Sequence, residues 1–222
     1  MKRETQRPNI CKVDAKVCQQ CSVNGNLMCK FNLKDTIYFI IPVLSAWIVW
    51  VAGSIQALIS RRLNTLQLIV SFLIYIGFLI FFFQVWENKI LCSHCPYYAF
   101  EDDKTVKCYA NYGIYKTWKY NPAPMSRSEK IQFIIGISFF AGFPLIFLIL
   151  TEMYVYFGIA LIFSVIWIVS MHFRSCSKCP NFSCPLNVVP KNIVNDYLRH
   201  NNVMRKAWEE QGYIIDFLTV LF

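Results

Sequence analysis

The chain has 222 residues, of which 56% are hydrophobic and 16% are charged, and its mean hydropathy is +0.39. This balance excludes a disordered chain and an ordinary soluble domain, and it is typical of a protein that exposes apolar side chains to lipid. The net charge of +9 could serve a nucleic-acid partner, but basic residues that flank membrane spans have a simpler use in fixing orientation against anionic lipid. We therefore expect the lipid bilayer as a partner and no nucleic acid.

Two uncharged apolar runs come first in the chain. They cover residues 36–60 and 65–86, and each is long enough to cross a bilayer as a helix. Arg61 and Arg62 lie between them. The two runs therefore predict a transmembrane hairpin over residues 36–86.

A second hairpin is predicted over residues 131–173. This stretch has 43 residues and a single charge, Glu152. As one continuous helix it would be about 60 Å long, roughly twice the thickness of the hydrocarbon core, so it must fold back. We place the turn at Thr151 and Glu152. The predicted fold class is an all-α integral membrane protein with four transmembrane helices in two hairpins.

Four spans bring three polar segments to the same side of the membrane. The N-terminal segment 1–35, the loop 87–130 and the tail 174–222 hold 7, 7 and 6 Lys and Arg residues, against two arginines on the other side. The positive-inside rule then predicts that this side is cytoplasmic, in a cell membrane crossed several times, with both termini in the cytoplasm. We expect the three segments to build a cap from a Cys-rich N-terminal segment, an aromatic and basic loop and a helical tail.

All ten cysteines lie in these three segments, and none lies in a predicted span. Each segment contains one Cys-x-x-Cys pair (CQQC, CSHC and CSKC), in which two thiolates can converge on one metal. Because cytosolic glutathione disfavours structural disulfides, three such pairs on a cytosolic face favour metal binding. The predicted metal ligands are Cys11, Cys18, Cys21, Cys29, Cys92, Cys95, Cys108, Cys176, Cys179 and Cys184.

Proline follows directly after Cys95, Cys179 and Cys184, and it stiffens the turn that would present a ligand. The tail spacing C-x2-C-x4-C-P has a loose likeness to the Cys-Pro runs of bacterial ferredoxins. We therefore predict one or two iron–sulfur clusters, of the 4Fe–4S type, in a redox or electron-transfer protein that exchanges electrons with a soluble or membrane redox partner. The histidines that could add an imidazole ligand are His94, His172 and His200.

Two alternatives stay open at this point. In one, zinc ties the three segments into a compact scaffold that docks a soluble partner, without turnover. In the other, one Cys-x-x-Cys pair works as a quinone-linked dithiol oxidoreductase. The sequence contains no P-loop, Gly-rich dinucleotide fingerprint, HExxH motif or nucleophile elbow, so hydrolase and kinase chemistry have no support, and whether the protein is an enzyme is left open.

Overall fold

A computed structural model describes residues 21–29, 31–99 and 104–215 of the chain. All regular elements within these ranges are helices. Four of them are long and apolar enough to cross a membrane, which confirms the prediction of an all-helical, multi-pass membrane protein. The four long helices are α1 (Leu33–Ile59), α2 (Thr65–Phe81), α3 (Arg127–Leu150) and α4 (Tyr154–Ser170).

Local capping signals decide where α2 and α3 begin. Asn64 and Gln67 form a reciprocal capping box before α2, and Ser126 and Glu129 form another before α3. Between α3 and α4 the backbone reverses at Glu152, whose φ of 59° is left-handed. The turns after α1 and α3 lie at the same end of the bundle, because Arg62 and Glu152 form an ion pair.

Two of the helices continue beyond the predicted apolar runs. A π-helical turn over Phe82–Trp86 and an α-helical turn over Glu87–Ile90 extend α2. Another π-helical turn, Met171–Cys176, extends α4. The prediction that no cysteine lies in a spanning helix is therefore wrong for Cys92 and Cys176, which fall in the last turns of these helices.

The second helix is longer than the predicted span because its polar residues are buried in protein and are not exposed to lipid. The uncharged run that predicts the second span ends before Glu87, the first charged residue. Glu87 and Asn88 are nevertheless only 5% and 0% exposed. Asn88 donates to the backbone oxygen of Tyr115 at 2.6 Å and to the hydroxyl of Thr117 at 3.2 Å. The loop after α2 thus covers these polar side chains, and the helix continues without facing lipid.

Aromatic side chains form the centre of the bundle. The ring of Trp50 on α1 stacks on Phe72 of α2 at 4.5 Å between centroids, and Tyr75 stacks on Phe143 of α3 at 4.9 Å. The Tyr75 hydroxyl donates to the backbone oxygen of Phe140 at 2.8 Å. A buried polar atom therefore has a partner where no water is available, and the geometry of α2 against α3 is fixed.

The three polar segments contact one another at the end of the bundle away from the two short turns. The backbone N–H of Met28 donates to the Lys178 oxygen at 2.8 Å, which joins the N-terminal segment to the tail. The hydroxyl of Tyr97 in the loop donates to the Met28 oxygen at 2.5 Å. The side chain of Asn181 donates to the Leu91 oxygen at 3.0 Å and so joins the tail to the end of the second span.

Two short helices follow in the tail, α5 (Lys191–His200) and α6 (Asn202–Glu209). Pro190 precedes α5, at a position where proline is compatible with the start of a helix. Val23 and Leu27 of the N-terminal segment are buried against these helices. The apolar cluster consists of Val23, Leu27, Val189, Val194, Tyr197, Leu198, Met204, Trp208 and Ile215.

We expect Gly53→Ala to destabilise the bundle. A Cβ at this position would lie 2.5 Å from Leu148 Cδ2 on α3 and 2.9 Å from Tyr156 Cβ on α4, and the Tyr156 Cβ cannot move without its backbone. Overpacking of this kind costs about 1–3 kcal/mol. Unfolding of the purified protein in mixed micelles with increasing dodecyl sulfate measures the change.

The matched control is Gly77→Ala. No atom lies within 4 Å of the Cβ that this change adds, and alanine is favoured over glycine in a helix by up to about 1 kcal/mol. The control protein should be as stable as the parent or more so. Equal stability of both variants would show that α1 does not approach its neighbours at Gly53.

Candidate metal centre

Six of the eight described cysteines line one cavity at the end of the bundle. The cavity has a volume of about 330 Å³. The upper part of its wall, nearer the polar segments, comes from the end of the α2 extension, the loop that follows and the tail. The lower part, within the membrane-spanning bundle, comes from all four spans. The six cysteines are Cys92, Cys95, Cys108, Cys176, Cys179 and Cys184, and they form no disulfide among the described residues.

Four of these thiols share one local feature: a backbone N–H two residues later lies close enough to lower the pKa of each. The donors are Tyr97 for Cys95, Ala110 for Cys108, Asn181 for Cys179 and Leu186 for Cys184. We call Cys95, Cys108, Cys179 and Cys184 the thiol quartet. Charge-assisted N–H contacts of this kind stabilise a sulfur that carries negative charge.

Proline explains why three of these turns form. Pro96, Pro180 and Pro185 directly follow Cys95, Cys179 and Cys184. Proline fixes its own φ near −65°, so the chain bends at once and the next N–H points back toward the sulfur. Pro96 accordingly begins a tight helical turn, Pro96–Tyr98. The Cys-Pro pairs seen in the sequence thus have a structural role.

Asn111 supplies further donors to the sulfurs. The backbone N–H of Asn111 lies 3.3 Å from Cys108 Sγ. Its side-chain Nδ2 lies 3.1 Å from Cys92 Sγ and 3.2 Å from Glu87 Oε1. Asn111 is itself buried. One residue therefore joins a quartet thiol, a fifth thiol and a buried carboxyl.

The quartet thiols are held close enough to affect one another's ionisation. Burial raises the pKa of Cys179 to about 11 and of Cys108 to about 12. The pKa of Cys95 is raised well above its ordinary value, first by burial and then by charge on Cys179 and Cys108. Thiols in this arrangement stay protonated on their own. A bound cation would reverse that balance, because it compensates the negative charge of the sulfurs.

The two described cysteines of the N-terminal segment do not line this cavity. Cys21 and Cys29 line a second, wider cavity of about 840 Å³, together with Asp35, Arg174 and Lys178. The other two predicted ligands of this segment, Cys11 and Cys18, lie outside the described residues. The structure thus brings together the six cysteines of the loop and the tail, and it does not bring Cys21 and Cys29 to them.

The histidines do not line the thiol cavity. His94 lies between Cys92 and Cys95 in sequence, but its Nδ1 lies 2.6 Å from the Ala123 oxygen and its Nε2 lies 3.3 Å from Glu129 Oε1. It therefore joins the loop to the first turn of α3. His172 and His200 are likewise absent from the cavity wall.

No three His, Cys, Asp or Glu side chains of the described ranges converge closely enough to hold a single metal ion. The six thiols instead surround a volume. Four-coordinate zinc requires its sulfurs at about 2.3 Å from one point, whereas an iron–sulfur cluster takes each thiolate at a separate iron. Thiols that are spaced around a cavity and bonded by backbone N–H groups fit a cluster better than a mononuclear zinc site.

Sequence reasoning missed two polar residues of this site. Glu87 was assigned to the start of the loop, although an acid five residues before Cys92 at the end of an uncharged run was a signal for it. Asn111, three residues after Cys108, had no signal beyond its proximity to a cysteine. Both line the cavity.

We expect Asn187→Ala to loosen the tail loop that carries two quartet thiols. The Asn187 side chain donates to the oxygens of Cys179 at 2.7 Å and Asn181 at 3.0 Å, and it accepts from the Val189 N–H at 2.9 Å. Loss of three hydrogen bonds costs about 1–4 kcal/mol. The cavity thiols should then react faster with maleimide in detergent, whereas the exposed control Asn202→Ala should leave the rate unchanged. Equal rates in the two variants would contradict this role for Asn187.

Comparison with known proteins adds no relative to this picture. The chain matches no family model, no curated protein and no solved structure. The candidate site is therefore argued from the geometry of its own residues.

Proposed function

We propose that this protein is a membrane-embedded electron-transfer protein in which the thiol quartet ligates an iron–sulfur cluster of the 4Fe–4S type. The cap formed by the three polar segments faces the cytoplasm in this proposal, and electrons are exchanged there with a soluble or membrane redox partner. A bound cluster supplies one-electron transfer at a potential set by burial and by hydrogen bonds to its sulfurs.

The observation that carries the proposal is the thiol quartet itself. Four thiols line one cavity, Cys95 buried and the other three half-buried, and a backbone N–H two residues later lowers the pKa of each. Four thiolates are the usual ligand set of iron–sulfur clusters. The cavity lies between the apolar bundle and the polar segments, and most of the residues that line it are apolar.

The residues around the quartet have distinct tasks in this function. The backbone N–H groups spread the negative charge of the sulfurs. Tyr109 donates its hydroxyl to Cys179, and Asn111 adds a second N–H to Cys108. Cys92 and Cys176 line the same cavity without being required for a four-thiolate site. They are available to a second set of ligands, which keeps the number of clusters at one or two.

The dithiol alternative is less well supported by the geometry. Reactive dithiols have a lowered pKa and are accessible to their partner. Cys92 and Cys95 are instead buried at the C-terminal end of a helix, where the helix dipole disfavours a thiolate. Burial also raises the pKa of Cys95. The zinc scaffold requires ligands that converge on one point, and it is an outcome of the metal analysis below.

We expect protein purified in detergent without oxygen to be brown and to contain iron and acid-labile sulfide. Serine substitution at any quartet position, for example Cys95→Ser or Cys179→Ser, should remove most of the iron and the visible absorption, since a hydroxyl is a poor ligand for iron in a cluster. Metal and sulfide analysis with an optical spectrum measures this. Colourless protein without iron would refute the proposal, and stoichiometric zinc would establish the scaffold.

The matched controls are Cys92→Ser and Cys176→Ser, which remove thiols from the same cavity wall. They should retain a four-iron complement and its absorption, with a shifted reduction potential for Cys92→Ser because Asn111 loses a sulfur partner. Loss of the cluster in these variants, with retention in the quartet variants, would show that the ligand set is assigned wrongly.

We expect the cap to face the cytoplasm. The segments that build it hold 20 of the 22 Lys and Arg residues, whereas Arg61 and Arg62 lie in a short turn at the opposite end. Alkaline phosphatase, which is active only after export, should be inactive when fused to the tail and active when inserted after Leu63. The reverse pattern would place the cysteines in an oxidising compartment and remove the argument against disulfides.

A further inference from the structure

The thiol cavity extends from the sulfurs into the membrane-spanning bundle, where its wall is apolar and mostly aromatic. Side chains from the four spanning helices line this lower part. A volume of about 330 Å³ for the whole cavity is at the small end of the roughly 300–1,000 Å³ range of ligand sites. The aromatic lining residues of the lower part are Phe39, Trp47, Phe83, Phe133, Phe140 and Trp167.

Two polar atoms in this wall have no hydrogen-bond partner among the described residues. They are Oε2 of Glu87 and Nε1 of Trp167. Their residues are only 5% and 4% exposed, so water does not satisfy them from outside. Unpaired buried polar atoms are costly, and these two on the wall of one cavity are placed where a ligand could supply the partners.

The two polar atoms belong to residues at different depths of the cavity. The ring of Phe140 lies 5.6 Å from that of Phe83 and 5.6 Å from that of Trp167. Phe83 precedes Glu87 by four residues, which is about 6 Å along a helix. Glu87 and Trp167 are therefore connected along the cavity wall through the rings of Phe83 and Phe140.

The lower part of the cavity has a rim that faces lipid. Ile40 and Leu44 on α1 line the cavity, and these apolar residues of a spanning helix are 38% and 45% exposed. No charged residue of the described chain lies in the cavity wall apart from Glu87. A molecule dissolved in the bilayer could therefore enter between these side chains without crossing a polar barrier.

We propose that the lower part of the thiol cavity binds the headgroup of a bilayer-dissolved quinone, with Glu87 and Trp167 as donors to its two carbonyl oxygens. The inference rests on the proposed electron-transfer function for the redox role of this ligand. Its position below the thiol quartet makes it the membrane-side electron carrier. Binding of the quinone headgroup depends only on the cavity.

A quinone has the chemistry that this wall would recognise. Its ring is flat and packs between aromatic side chains, its two opposed oxygens accept hydrogen bonds, and its apolar tail suits the lipid-facing rim. A protonated Glu87 carboxyl can donate its O–H, and the Trp167 indole N–H is a donor only. The small volume restricts the bound part to a single ring.

The test uses the full-length protein in lipid nanodiscs and a tritiated decyl-benzoquinone as the probe. We expect saturable binding of one probe per chain above the linear partition into lipid. Trp167→Phe keeps the ring but removes one donor, so it should weaken binding about fivefold to tenfold, as the loss of one hydrogen bond does. Val43→Phe fills the cavity and should abolish saturable binding.

The matched control is Trp50→Phe. The Nε1 of Trp50 is also buried without a partner in the described chain, but Trp50 is not in the cavity wall. This variant should bind the probe as tightly as the parent protein does. Equal affinities of the Trp167→Phe variant and the parent would overturn the assignment.

Iron is measured on the same samples, so that the two proposals fail separately. Cluster-loaded protein without saturable probe binding would overturn the quinone site and leave the electron-transfer function in place. Protein without iron that still binds the probe in a Trp167-dependent way would overturn the cluster and support the quinone site. Probe binding with a bound cluster supports both.

Discussion

The hydrogen bonds to the cavity sulfurs are the constraint on which the rest of the cap depends. The cavity lies at the end of an apolar bundle, where a polar atom must find its partner inside the protein. Cys-Pro turns return three backbone N–H groups to their own cysteines, and asparagines hold the turns in place. The backbone of the cap can be irregular because these turns provide hydrogen-bond partners for its polar atoms locally, without a sheet or a long helix.

The bundle in turn makes room for the cavity. Both helices that deliver cysteines to it contain a π-helical turn near those cysteines: Phe82–Trp86 lies six residues before Cys92, and Met171–Cys176 ends at Cys176. A π-turn adds one residue per turn and widens the helix, and such turns are frequent at functional sites. Phe82 fills the space left by Gly136 on α3, where a Cβ would collide with its ring. Packing is therefore tight directly beside the cavity, and the bundle is not loosely packed as a whole.

The four spans could be predicted because lipid imposes a minimum length on an apolar helix, and the third and fourth had to be separated for the same reason. The Cys-Pro pairs indicated stiff turns at three of the four quartet cysteines, whereas Cys108 is followed by tyrosine. The separation of Cys21 and Cys29 from the other cysteines could not be predicted, because it follows from the packing of Val23 and Leu27 onto the tail helices. Trp167 is one aromatic residue among many in its span, so its place in the cavity wall left no signal in the sequence.

Asn111 connects the two halves of the cavity. Its side-chain amide lies within hydrogen-bond distance of both Glu87 Oε1 and Cys92 Sγ, and its backbone N–H donates to Cys108. Added negative charge on the sulfurs strengthens its bonds to them and repels charge on the Glu87 carboxyl, because the surroundings screen weakly. In the proposed function, the charge of the thiol site and the proton of Glu87 are therefore coupled through one residue. In that function, a gain of one electron at the quartet would favour the protonated form of Glu87, the hydrogen-bond donor on the membrane side of the cavity.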